Sequence, residues 1–258
     1  MSYFDTHAHL ALLTHTQGDE AWERAKLANI KELVSVSTDE TNWASNQKFA
    51  EKYDGVYHAV GVHPHETDRW KAVRPAMEAF YADPENQKKC VAVGEVGIDY
   101  HYNHATKENQ IEAFEEQHDL AVKWKLPLII HCRDAFADVF EILRRKKMPA
   151  RGGVLHCFTG GVAEAKEAAE LGLHLSFSGI LTFKTAQTLR DAAKAAPENL
   201  LLIETDCPYL APIPHRGKPN EPGYLPETAK CLATVRGTSL EKIAEITTQN
   251  ARHFFGIA

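Results

Sequence analysis

Short apolar runs alternate along the chain with longer stretches whose apolar positions recur every three to four residues. The runs predict strands over 3–7, 32–37, 56–62, 91–96, 128–131, 153–156, 174–178 and 200–204. Helical spacing follows over 20–30, 42–53, 107–124, 136–146 and 163–171. Eight alternations without a Pro/Gly/Ser-rich linker predict an α/β fold: one parallel, right-handed (β/α)8 TIM barrel filling residues 1–258 as a single domain. The chain length suits this, since such barrels reach roughly 250 residues as one unit.

The carboxyl-terminal part departs from the alternation. Residues 208–226 hold six prolines and no period before helical spacing resumes over 228–236 and 240–254. Loops of that length without structure of their own are uncommon and often functional.

Composition narrows the class. Apolar residues make up 44% of the chain and charged residues 25%, close to the globular average. No long uncharged apolar run occurs, so no membrane span is expected. MSYFDTHAHL enters a strand-like segment directly, without the zones of an export signal, and the expected location is the cytoplasm. Cys90, Cys132, Cys157, Cys207 and Cys231 are odd in number and form no CxxC, which suits five free thiols. A formal net charge of −6 argues against a protein that coats duplex DNA, because such binding needs a broad basic face. A local basic pocket remains open to it. Arg133, Arg216 and Lys218, beside a candidate ligand or in the loop after Asp206, are the candidate phosphate partners. A monomer is the default expectation.

The chemistry lies where strand-like runs give way to loops. His7 and His9 stand two apart in an extended segment, so their imidazoles face the same side and can meet one ion. Asp5 shares that face and could orient a ligand or cap the strand. Glu95, His131, His156 and Asp206 each fall near the end of another apolar run. Residues at the carboxyl ends of barrel strands face the catalytic mouth, so six donors in matching positions point to a metal site there. Imidazole and carboxylate donors suit zinc or manganese, and magnesium where waters complete the shell. Six protein donors are too many for one ion with an open position, so two ions bridged by a carboxylate are expected. Glu95 is the expected bridge, because Gly94 and Gly97 permit close backbone approach.

These residues sit in motifs that resemble the TatD-type metal-dependent deoxyribonucleases, within the amidohydrolase-like TIM barrels. DTHAHL, GVHPH, GEVGIDYH, IHCRDA, HCFTGG, ETDCPYLAP, HRGKPNEP and NARHFF occur in the family's order, from Asp5 to Phe255. The resemblance implies that His7, His9, Glu95 and Asp206 hold one metal and Glu95, His131 and His156 the other, without a carbamylated lysine. It also implies that His63 lies on the substrate side near the scissile phosphate, with His65 less defined. Val96, Ile98 and Cys207 depart from common family residues and leave the ligands untouched.

The resemblance implies hydrolysis of phosphodiester bonds, as a 3′-5′ exonuclease acting on single-stranded or frayed DNA ends. Asp206 is the expected general base, and His63 or solvent the source of the leaving group's proton. Tyr100, His101, Tyr102 and Phe158 could offer stacking faces to unstacked bases or could pack internally. Cys132 and Cys157 adjoin ligand histidines, but strand alternation turns their thiols away from the mouth. No GxSxG or P-loop pattern supports a serine hydrolase or an ATPase. The alternatives are an amidohydrolase or esterase acting on a carbonyl centre, such as an aminoacyl ester, and a noncatalytic metal-dependent nucleic-acid-binding protein.

Overall fold

The computed structural model of the chain describes residues 1–13, 17–102 and 104–257. Among the described residues eight strands are present: β1 Tyr3–Ala8, β2 Ile30–Val36, β3 Val56–Val60, β4 Cys90–Asp99, β5 Leu128–Arg133, β6 Gly153–Leu155, β7 His174–Phe177 and β8 Leu201–Ile203. They form one sheet in the order β1 to β8 and alternate with helices, giving the expected (β/α)8 TIM barrel. The pairs β3/β4, β4/β5, β5/β6 and β7/β8 are parallel. Helices Trp70–Ala82 and Gln187–Ala195 lie outside the predicted helical stretches. The first contains Pro75, which reads as a breaker in the sequence. Among the described residues no helix is long and apolar enough to cross a membrane.

Every residue of β1 and all ten of β4 are buried. Strands covered on both faces require continuous apolar runs, so the polar residues inside them carry information beyond folding. Asp5, Thr6 and His7 in β1, and Glu95 and Asp99 in β4, are those exceptions.

The chain divides into two compact units, 1–34 with 156–258, and 35–155. In the first, helix Leu240–Phe255 packs on β1 and β8; Phe4 stacks on Phe255 at 5.7 Å between ring centroids. Phe4 and Phe254 are fully buried, and each such side chain contributes on the order of 1.5–3 kcal/mol. Ser239 caps this helix by accepting from the Lys242 N–H, and Gly256 closes it in the left-handed conformation. The Pro-rich segment enters helix Leu225–Arg236, which begins three residues before the periodicity indicates. In the second unit, helix Lys107–Trp124 packs on β4, capped by Thr106. Its buried face carries two glutamines: Gln117 accepts from the Val62 N–H at 2.8 Å and donates to the Val62 carbonyl at 3.0 Å, and Gln110 accepts from the Asp99 N–H at 2.8 Å. These amides fix the ends of β3 and β4.

Candidate metal centre

In the first unit, His7 belongs to β1, His9 follows it, His156 follows β6 and Asp206 lies three residues beyond β8. The seam between β1 and β8 aligns them. Asp206 N–H donates to the His7 carbonyl, and His9 N–H to the Cys207 carbonyl, each at 2.9 Å. Asp5 accepts from the Thr205 N–H at 2.9 Å and the Thr205 hydroxyl at 2.6 Å, so it ties the seam instead of facing an ion. Burial pushes the Asp5 carboxyl up to about 8, against those hydrogen bonds.

The side chains converge. His7 Nε2 and His9 Nε2 are 3.1 Å apart, with Asp206 Oδ1 at 3.8 and 3.4 Å from them. The His156 ring stacks on His7 at 4.0 Å. All four are buried. Burial alone would raise the Asp206 pKa, but the His9 contact and the charges of His7 and His156 reverse this and hold it below the usual carboxylate value. His156 Nδ1 lies 3.4 Å from Oε1 of Glu204, a fully buried acid that also accepts from the Cys157 N–H at 2.6 Å.

In the second unit, Glu95 lies within β4, not at its end as the sequence reading places it. The strand continues to Asp99, and the β4/β5 register shifts between Val93 and Val96. A bulge re-aims the side chains beyond it, and with a period of two Glu95, Gly97 and Asp99 then share a face. Gly97 has φ +138°, and a Cβ there would land on the His131 carbonyl oxygen; one on Gly94 would come within 2.5 Å of the Ile129 Cβ. These close approaches bring β5 against the bulge.

His131 Nδ1 is 2.8 Å from Glu95 Oε1, and its Nε2 is 2.9 Å from Asp99 Oδ2. His63, three residues beyond β3, places Nε2 3.3 Å from Glu95 Oε1. His63 Nδ1 accepts from the His65 N–H at 3.2 Å, so the ring proton of neutral His63 sits on Nε2, facing Glu95. Burial pushes the His63 pKa down to about 4, against the pull of Glu95, which keeps the ring neutral.

Asp99 is the residue the sequence reading missed. Besides His131 it contacts His65 Nε2 at 3.1 Å and accepts from the N–H groups of His101 and Tyr102 at 2.9 Å each. Burial would raise its pKa, but the His131 hydrogen bond and the Tyr102 N–H outweigh it and hold the carboxyl well below the usual range. Its signal was the spacing Glu95-x3-Asp99, visible only if the strand runs through GEVGID.

The donor sets fit a divalent ion. His7, His156 and Asp206 offer ligand atoms within 4.8 Å of one another, as do His63, Glu95 and His131. Imidazole nitrogens and carboxylate oxygens converging in this way, buried in the first set and partly buried in the second, are the donors zinc and manganese take.

The remaining candidates separate. Arg133 ends β5, half-buried, with its guanidinium 5.0 Å from the Tyr102 ring centroid. Arg216 and Lys218 are exposed in the Pro-rich segment, and Arg216 lies over the Phe183 ring at 4.0 Å. Phe158 is buried against Phe177, which makes it core packing. The Tyr100 hydroxyl bonds Asp138, and Lys107 covers its ring. All five cysteines are free, and burial raises the thiols of Cys90, Cys132, Cys207 and Cys231 above their usual pKa.

Comparison with known proteins agrees with this chemistry. The sequence profile of TatD related DNase matches residues 4–256. YabD of Bacillus subtilis, described as an uncharacterized metal-dependent hydrolase, is 41% identical over 98% of this chain and 99% of its own length. A Klebsiella pneumoniae protein described as the 3'-5' ssDNA/RNA exonuclease TatD is 34% identical over 93% of this chain and 92% of its own. The crystal structure of YJJV, a TatD homolog from Escherichia coli, superposes with a TM-score of 0.88 at 28% identity, covering 99% of this chain and 98% of that one. The chain belongs to the TatD related DNase family and is a metal-dependent hydrolase.

Proposed function

We propose that the protein is a deoxyribonuclease that hydrolyses phosphodiester bonds at single-stranded or frayed DNA ends, in the 3′-5′ direction, as a cytoplasmic monomer of one barrel domain. The observation that carries this reading is the convergence of His7, His9 and Asp206 at buried strand ends, beside a family match spanning residues 4–256. The name of the Klebsiella relative supports the substrate class and polarity. On the family resemblance, His7, His9, Glu95 and Asp206 hold one divalent ion and Glu95, His131 and His156 a second, with magnesium, manganese or zinc in those places. Such ions, when bound, lower the pKa of water toward neutrality and offset charge on phosphoryl oxygens.

The protein's own groups do the rest. Asp206, held ionised by its imidazole neighbours, takes the proton of the attacking water. Neutral His63 donates a hydrogen bond from Nε2 to the departing oxygen or to a phosphoryl oxygen, and solvent completes the protonation. Arg133, Arg216 and Lys218 grip flanking phosphates, the arginines by their planar forks.

The test compares metal-loaded protein on an end-labelled single-stranded oligonucleotide with N-acyl amino acids and aminoacyl esters, each with and without chelator. Chelator-sensitive shortening of the oligonucleotide from its 3′ end is the expected result. Turnover of the carbonyl substrates alone would assign an amidohydrolase or esterase instead. Oligonucleotide binding without any cleavage would assign a noncatalytic protein.

A further inference from the structure

Each cluster has an exposed tyrosine at its edge. Among the described residues, the large apolar side chains left exposed are Met1, Leu27, Tyr102, Tyr209 and Ile213. Met1 is terminal. Tyr209, 54% exposed, lies edge-on to His9 at 6.1 Å between centroids, in the first unit. Tyr102, 43% exposed, lies edge-on to His65 at 5.6 Å, in the second. The two exposed aromatic faces therefore each adjoin one of the two donor clusters.

The surroundings of Tyr102 are those of a stacking platform. His104, also exposed, lies nearly parallel to it at 27° and 5.9 Å, and Arg133 stands over its ring. Aromatic faces interleaved with a guanidinium hold flat, electron-rich rings next to phosphate, and do so for any base. The platform is also pre-set: Asp99 accepts the Tyr102 N–H with the same carboxyl group that contacts His65 and His131, so the ring's backbone is fixed to the cluster. Tyr209 is fixed similarly: its N–H donates to the Asp206 carbonyl at 2.9 Å, and its own carbonyl accepts from Asn220 Nδ2 at 2.6 Å. With the backbone tied in this way, only the side-chain torsions remain to be ordered when a base lands on the ring.

We propose that Tyr102 and Tyr209 are each a stacking face for a nucleobase of single-stranded substrate, each beside its own cluster. This rests on the nuclease reading above and names what that site recognises beyond phosphate. An abasic residue walked through successive positions at the strand end, with kcat/KM measured at each, should lower turnover by roughly tenfold at two positions with the wild-type protein. Tyr102→Leu should abolish discrimination at one of them and Tyr209→Leu at the other, while Tyr102→Phe and Tyr209→Phe keep it. A second readout needs no turnover: a fluorescent 2-aminopurine at those positions should be quenched on binding to wild type and to the Phe variants, and not to the corresponding Leu variant. Equal losses on base-bearing and abasic strands, or quenching that survives the Leu variants, would overturn the proposal and leave the nuclease reading standing. Quenching without cleavage would keep the stacking sites and remove the nuclease reading. Neither cleavage nor binding would remove both.

Discussion

The two donor clusters contain similar groups but are held by different means. In the first unit the frame is backbone: the β1/β8 seam sets His7, His9 and Asp206 through main-chain hydrogen bonds, and Asp5 clamps Thr205. In the second, main-chain bonds from the His63 N–H to the Thr38 carbonyl and from the Glu95 N–H to the Ser37 carbonyl are supplemented by side chains: Gln110, Gln117 and Asp99, around a bulge in β4, help to aim Glu95, His131 and His63. A backbone frame tolerates changes around it and concentrates the risk in the donors themselves. A side-chain frame spreads the risk over residues that touch no ligand.

The largest effect should come from a donor in the first cluster. Asp206→Asn is expected to lower kcat about a thousandfold with little change in Tm, since the proton acceptor is lost and the seam is kept. Steady-state kinetics with metal content measured in parallel checks this; near-normal turnover with metal bound would remove Asp206 as the base.

The second frame should fail first in stability. Gly97→Ala puts a side chain at φ +138° and against the His131 carbonyl, and is expected to cost about 3 kcal/mol or more in urea unfolding. A loss below about 1 kcal/mol would mean that β4 and β5 separate easily and that the bulge is not what fixes Glu95.

Each unit also carries a buried histidine outside its cluster, which gives a matched pair for pH. Burial pushes His58 in β3 and His174 in β7 down from 6.5 to about 4. Between those values the unfolded chain binds the proton more readily, so this stability is complete above about pH 6.5 and is lost as pH falls through about 4. Each group contributes at most about 3 kcal/mol. His174→Phe should remove part of the slope from a urea-derived stability profile; an unchanged profile would show that His174 does not titrate in this way.

A smaller effect sharpens the comparison. Asp99→Asn keeps the shape but weakens the acceptor for His131 and His65, and is expected to reduce metal affinity roughly 10–100-fold. Isothermal titration reads it directly. Unaltered affinity would reduce Asp99 to a turn former for His101 and Tyr102.

This contrast also explains what the sequence reveals. His7 and His9 lie in DTHAH, where a period of two already places both imidazoles on one side, Asp206 follows a legible apolar run, and every predicted strand has its counterpart. Asp99 escaped because its role depends on a strand running past the bulge and on a glutamine from a helix. Phe158 shows what a sequence leaves open: its ring reads equally as a stacking face or as internal packing, and the contact with Phe177 shows it to be core. Periodicity reports which face a residue takes along one element, whereas bulges and contacts between elements decide what that face meets.

The proposed two-ion hydrolysis is put to the test by loading metal-stripped protein stepwise with manganese or zinc. Ions bound per chain and hydrolysis of a single-stranded oligonucleotide would be followed in the same samples. Two ions per chain are expected, with turnover appearing as the second one loads. Saturation at one ion, or full turnover at one equivalent, would contradict it.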